Sequence, residues 1–264
     1  MNTLSSAANP ALKRWRRLLT DAAARRESGE FIVEGLHLVE EAIRCGVLPQ
    51  SLMLAESALA HPEIGALLAQ LEGESLRSAV LPDRLFESVF EVSAARGIAA
   101  CLPIPAAPTD LDAFPQCVLL EQVQDAGNVG TILRSAAAFG IDCVVLDAAS
   151  ADPWSPKCVR AAQGAHFSIR VMRTESLAGV LRGRRGSVIG TVPVDGRPLP
   201  TLPLEEPLAW LFGSEGRGLT PEALALCTER VSIPMPGAAE SLNVAMAASI
   251  CFYERARRAA PGRV

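Results

Sequence analysis

The chain has 264 residues, 49% of them hydrophobic and 20% charged; that supports a packed core and excludes wholesale disorder. The formal net charge of −4 speaks against an evenly basic nucleic-acid binder, because phosphate binding leaves a basic footprint. Seven cysteines without a CxxC or a Cys/His cluster argue against a zinc site and for a reducing compartment. No apolar signal segment follows the polar Asn2–Pro10 and no apolar run is long enough to span a membrane, so a soluble, cytoplasmic protein is expected.

From Pro10 to Arg26 the spacing of Leu12, Trp15, Leu18 and Leu19 predicts one amphipathic helix. Its other face carries Lys13, Arg14, Arg16, Arg17, Arg25 and Arg26 against Asp21 alone. Such a face is either solvated or a contact for a polyanion. Strand signals follow at 31–34, 51–55, 75–81 and 98–102, with helix signals at 36–45, 63–71 and 83–89. Pro103, Pro105 and Pro108, with Pro115 soon after, forbid a helix and a central strand. Residues 103–115 therefore read as a linker between a small α/β domain, 1–102, and a larger one, 116–264.

In the second half, apolar strand signals at 117–121, 143–147, 167–172, 187–192, 208–212 and 230–233 alternate with helix signals at 127–139, 155–163, 176–182, 221–226 and 242–258. This alternation predicts a parallel sheet covered on both faces. Ligands of such sheets bind beyond the carboxyl ends of the strands.

Three loops at those ends stand out. In Glu121–Arg134, Asn128 can donate and accept, and Arg134 carries five donors suited to phosphate. Six helical positions turn through roughly 240° net, so the two converge only if Asn128 precedes the helix. In Leu211–Gly218, three glycines allow a sharp turn and close approach of a ligand. Their spacing fits neither a dinucleotide fingerprint nor a P-loop, and Glu215 between them reads as functional. In Ile233–Asn243, prolines stiffen the loop, Ser241 is the expected helix cap and Asn243 falls in the first turn. The plainer reading of each is a helix cap, a surface charge or a glycine-rich turn.

Taken in order, Asp125–Gly140, Leu211–Leu219 and Ile233–Val244 resemble the three motifs of the SpoU-type RNA 2′-O-methyltransferases of the SPOUT superfamily. Lys157–Gly164 is similar to the helix after that family's second strand. Phe31–Gly35 resembles, more weakly, the start of its ribosomal-protein-like substrate-binding domain. The chain departs from the pattern at Ala126, where a proline is common, and at Arg96–Gly97, where Gln-Gly is common.

The resemblance implies a SPOUT catalytic domain with a parallel sheet and a C-terminal trefoil knot, working as a homodimer on RNA, most of all ribosomal RNA. It implies S-adenosylmethionine as cofactor, held by Thr191, Val192, Phe212, Gly213, Gly216, Gly218, Ile233, Met235, Ser241 and Leu242. It implies no metal. Asn128, Arg134, Glu215, Ser241 and Asn243 match the functional positions, and Arg134 is expected to complete the partner's site. A guanidinium is a poor base near neutral pH, so Arg134 either takes the proton or grips phosphate and steadies developing alkoxide charge. RNA contacts are expected from Lys13, Arg14, Arg16, Arg17 and Arg134, on basic surfaces at Lys13–Arg26, Arg182–Arg185 and Arg255–Arg263. The alternatives are a tRNA methyltransferase, a non-catalytic RNA-binding scaffold of the same fold, and a nicotinamide-type enzyme, against which the displaced glycines count.

Overall fold

The structure is a computed structural model, described for residues 2–90 and 96–259. The chain divides into two compact units, one holding residues up to Ile104 together with Trp154–Phe167, the other Pro105–Pro153 with the chain from Ser168 on.

The first unit runs β1 (Asn2–Thr3), α1 (Pro10–Thr20), α2 (Ala22–Ser28), β2 (Glu30–Glu34), α3 (Leu36–Arg44), β3 (Ser51–Ala55), α4 (Pro62–Gln70), β4 (Arg77–Leu81), α5 (Asp83–Glu87) and β5 (Ile98–Pro103). Its five-stranded sheet has the order β1-β4-β3-β5-β2. β5 runs antiparallel to both neighbours and the other pairs are parallel.

The single helix expected over 10–26 is two. Asp21 is extended at φ −119°, and its carboxylate accepts from the Ala23 N–H. An aspartate that can cap a helix competes with continuing one. Leu12, Trp15 and Leu18 are buried as the spacing predicts, with Trp15 edge-on to Phe90 at 5.7 Å. Arg14 leaves the cationic face to pair with Glu30, a buried carboxylate on β2. Burial of that charge needs its counterion, so Arg14 ties α1 to the sheet. Arg16 donates to the Ser88 hydroxyl at 3.2 Å, and Arg17 lies 4.0 Å from Asp21.

The chain between β5 and β6 (Gln116–Leu120) holds neither helix nor strand. Then follow α6 (Ala126–Ala138), β7 (Cys143–Asp147), α7 (Pro156–Ala162), β8 (Arg170–Thr174), α8 (Leu177–Leu181), β9 (Ser187–Thr191), β10 (Arg197–Pro198), β11 (Leu208–Phe212), α9 (Pro221–Leu224), β12 (Glu229–Ser232) and α10 (Val244–Ala259). Seven strands form one parallel sheet of order β10-β12-β9-β11-β6-β7-β8. Its central strands are buried apolar runs, as both-face burial demands.

α7 sits in the first unit. There Trp154 packs on Phe31 at 4.8 Å and Arg160 lies 3.7 Å from Glu34. The strand read at 167–172 begins only at Arg170, because Ala165–Phe167 winds a single helical turn.

Within two of the expected basic surfaces, Arg184 and Arg258 are internal ties, while Arg185 stays 82% exposed. The Arg184 side chain is 2% exposed. It donates to the carbonyls of Leu111, Phe114 and Leu208. Arg258 donates to the carbonyls of Leu199 and Leu202, shares Glu254 with Arg257, and Arg255 pairs with Glu206. Their charge holds loops rather than awaiting a polyanion. Arg263 lies outside the described residues.

Candidate active site

All three loops rise from the carboxyl ends of strands in the second unit. Asp125 caps α6, accepting from the N–H groups of Gly127 and Asn128 at 2.7 and 3.0 Å. Asn128 is therefore inside the first helical turn, not before it. The condition for its meeting Arg134 within one chain fails, and Arg134 stands exposed with no ion-pair partner among the described residues.

Asn128 meets the other two loops instead. Its amide N–H donates to Glu215 Oε1 at 2.7 Å, and its oxygen accepts from the Asn243 amide at 3.0 Å. The direction of this relay is fixed at both ends. A carboxylate only accepts, so Asn128 must offer it nitrogen. The Asn243 oxygen is occupied by the Ala245 and Met246 N–H groups at 2.9 and 3.4 Å, leaving its nitrogen for Asn128. Asn243, and not Ser241 as expected, thus caps α10; Ser241 is exposed.

The glycine loop closes on itself, Ser214 and Gly218 exchanging backbone hydrogen bonds at 3.2 and 2.9 Å. A Cβ on Gly213 would stand 2.3 Å from the Gly218 backbone, so only glycine permits the closure. Glu121, at the end of β6, accepts from the Thr220 hydroxyl and N–H at 2.6 and 2.9 Å. This fixes the exit of the loop to the neighbouring strand. Sequence reasoning assigned Glu121 no role, although a carboxylate at a buried strand end is a signal in itself.

Beside the relay lies a cavity of about 540 Å³, the size of an ordinary cofactor site. Thr191, Val192, Gly213, Gly216, Gly218, Ile233, Met235, Ser241 and Leu242 line it. Phe212 does not; it is fully buried, 5.8 Å from the Phe252 ring, and reaches no cavity wall. Its strand alternation turns the ring into the core. Asp195, Arg217 and Arg230 also line the cavity, and sequence reasoning missed all three. Asp195 lies in the loop that follows β9, four residues past its end at Thr191, and that position was the available signal. Apolar walls with a few opposed charges fit a zwitterionic nucleoside such as S-adenosylmethionine.

Residues 115–253 match the SpoU rRNA Methylase family. The chain belongs to that family. Residues 9–99 of this SpoU-family chain match the MRM3-like substrate binding domain. It is 34% identical to the 23S rRNA (guanosine(2553)-2'-O)-methyltransferase RlmP of Bacillus subtilis, over 96% of this chain and 98% of that protein. It is 31% identical to a 23S rRNA (uridine(2479)-2'-O)-methyltransferase of Streptomyces viridochromogenes, over 97% and 92%. Among solved structures it resembles the SpoU methyltransferase AviRb of Streptomyces viridochromogenes in complex with AdoMet, at a TM-score of 0.86 and 28% identity, over 97% and 100%. An AdoMet-bound rRNA methyltransferase of Sinorhizobium meliloti aligns at a TM-score of 0.85 and 27% identity, over 98% of each chain.

Proposed function

We propose that this protein transfers a methyl group from S-adenosylmethionine to a ribose 2′-hydroxyl of 23S ribosomal RNA. The observation that carries this is the Asn243–Asn128–Glu215 relay standing beside the cavity. The rRNA 2′-O-methyltransferases among its relatives and the AdoMet-bound structures that share its fold support the substrate and the cofactor.

The cofactor supplies an electrophilic methyl on a sulfonium. Thr191, Val192, Gly213, Gly216, Gly218, Ile233, Met235, Ser241 and Leu242 hold it, with the chain behind Ile233 threaded as the family's trefoil knot. The relay keeps three loops in one arrangement, so that a ribose placed against it meets the methyl in line. Positioning of this kind contributes several kcal/mol.

Arg134 acts in trans, in a homodimer. Met246, Ile250 and Tyr253 form an exposed apolar stripe along α10, with exposed Leu242 in the loop just before it. This helix packs on α6 through Ser135 and Ser249, 2.7 Å apart, and through Phe139 and Tyr253. A second copy seated on this stripe brings Arg134 of one chain to the relay of the other. There it steadies the alkoxide or the adjoining phosphate. The first unit reads the RNA, and the compartment is the cytoplasm, in keeping with seven unpaired cysteines.

The test is to map 2′-O-methyl groups across total RNA with and without this protein, and to repeat transfer on a 23S transcript in vitro. One 23S ribose that loses its methyl group supports the reading. Loss at a tRNA site, or at none, overturns it.

A further inference from the structure

A second cleft, of about 450 Å³, lies wholly within the first unit. Its lining comes from three places: the end of β2 with the start of α3, the end of α7, and Glu63 with Arg96. The first two are fixed to one another. Gly164 follows α7 at φ +92°, and a Cβ there would stand 2.7 Å from Glu41 Cγ, so the junction of α7 with α3 has no room for a side chain. The Gln163 side chain donates to the Arg160 carbonyl at 2.7 Å and holds the last turn of α7 closed. The cleft is therefore a formed site rather than a gap between loose segments.

Its charges select the ligand. Glu34, Glu40 and Glu63 line it against Arg96 and Arg160. Arg160 lies 3.7 Å from buried Glu34, and Arg96 pairs with Glu63. Glu40 is exposed and has no ion-pair partner among the described residues. It stands one helical turn after Leu36, on the face of α3 that meets the cleft. The surplus of negative charge disfavours a phosphate, and so the RNA backbone, at this spot. The guanidiniums keep donors in reserve, because each carries five. The cleft thus offers a carboxylate to paired donors and guanidiniums to an acceptor. One edge of guanine presents that pattern: N1–H and the N2 amino group are donors side by side, with O6 next to them as acceptor. Adenine and cytosine bring only one amino group to a carboxylate, and uracil brings one ring N–H between two acceptors. Proteins read such edges on unpaired bases of RNA loops.

We propose that this cleft takes an unpaired guanine of the RNA substrate, with Glu40 accepting from N1–H and the N2 amino group and a guanidinium of the cleft donating to O6. The proposal rests on the reading that the first unit meets RNA, which its match to a substrate binding domain supports. The probes are short single-stranded adenosine oligoribonucleotides with guanosine, inosine or adenosine at the centre; binding to the full chain is measured by fluorescence anisotropy. The guanosine probe should bind on the order of tenfold more tightly than the adenosine probe, the scale of one bidentate contact to a base. Inosine, which lacks the N2 amino group, should fall between them. In Glu40→Ala the three affinities should become equal, at the level of the adenosine probe and with an unchanged melting temperature. Equal binding of all three probes by the unaltered protein would overturn the proposal. So would a guanosine preference that survives Glu40→Ala, which places the base elsewhere, or a loss in that variant shared equally by all three probes. Failure of the unaltered protein to bind any probe would instead overturn the reading that the first unit meets RNA.

Discussion

Asn128 and Glu215 stand 87 positions apart in sequence and 2.7 Å apart in space, joined by a hydrogen bond whose direction the carboxylate dictates. Because Asn128 also accepts from Asn243, its amide touches both other loops. Replacing it with alanine cuts the relay in two places. The groups are exposed, so water replaces the lost bonds and stability should fall by no more than about 1 kcal/mol. Methyl transfer should fall by about two orders of magnitude, the scale of losing one organised polar contact at a reacting centre. Thermal melting together with single-turnover transfer checks both numbers.

Arg134 has no ion-pair partner among the described residues. Arg134→Ala should leave S-adenosylmethionine affinity within about twofold and reduce transfer by at least about a hundredfold. Near-normal turnover would remove Arg134 from the chemistry.

The apolar stripe on α10 gives the dimer its own test. Met246 is 55% exposed, so Met246→Arg costs little in a monomer and places a charge at the centre of the proposed interface. Light scattering should report a monomer that binds the cofactor and transfers no methyl. An active monomer would show that the site is complete in one chain.

Two glycines of the turn separate closure from access. Gly213→Ala drives a methyl into the Gly218 backbone and should lower the melting temperature by several degrees, whereas a Cβ on Gly216 meets nothing within 4 Å and should leave it unchanged. Differential scanning calorimetry on the pair decides it.

Alkaline stability follows from the thiols. Burial pushes Cys143 and Cys251 from 9.0 up to about 12, so each stays protonated in the fold where the unfolded chain ionises. Their contribution is complete below pH 9 and is lost as pH rises through the folded values. The melting temperature should therefore decline from pH 9 upward, and Cys251→Ala should flatten that decline. An identical slope in the variant would remove Cys251 as its source.

The basic face of α1 tests how far charge alone could be read. Arg14 is committed to buried Glu30, so its loss should cost about 1–2 kcal/mol, discounted because the guanidinium is half exposed. Joint replacement of Lys13, Arg16 and Arg17 should leave the fold intact. If the face meets RNA, it should reduce the slope of log affinity against log salt by about 2. An unchanged slope marks a solvated face.

These cases show what pattern could and could not supply. Apolar periodicity located the parallel strands, because a strand buried on both faces must be apolar throughout. The glycine, proline and asparagine loops pointed to the site, because close approach and rigid turns restrict residue choice. The break at Asp21 was hidden because a capping aspartate and a surface aspartate look alike in sequence. The cap at Asn243 was misread as Ser241 because both residue types cap well, and only the three-dimensional relay selects between them. Arg184 and Arg258 read as surface charge because their acceptors are carbonyls distant in sequence. The packing of α7 in the first unit depends on Phe31 and Glu34, more than a hundred residues earlier, and no local signal carries it.

The relay also bears on how the molecule comes apart. Its two bonds close loops of 87 and 115 residues, each with an entropy penalty that grows with the logarithm of loop length. They lie at an exposed rim, while the strands beneath are sealed from water. Local opening begins at such rims. Mild denaturant should therefore silence the enzyme while its sheet still gives a native circular-dichroism signal, making lost activity the earliest sign of unfolding.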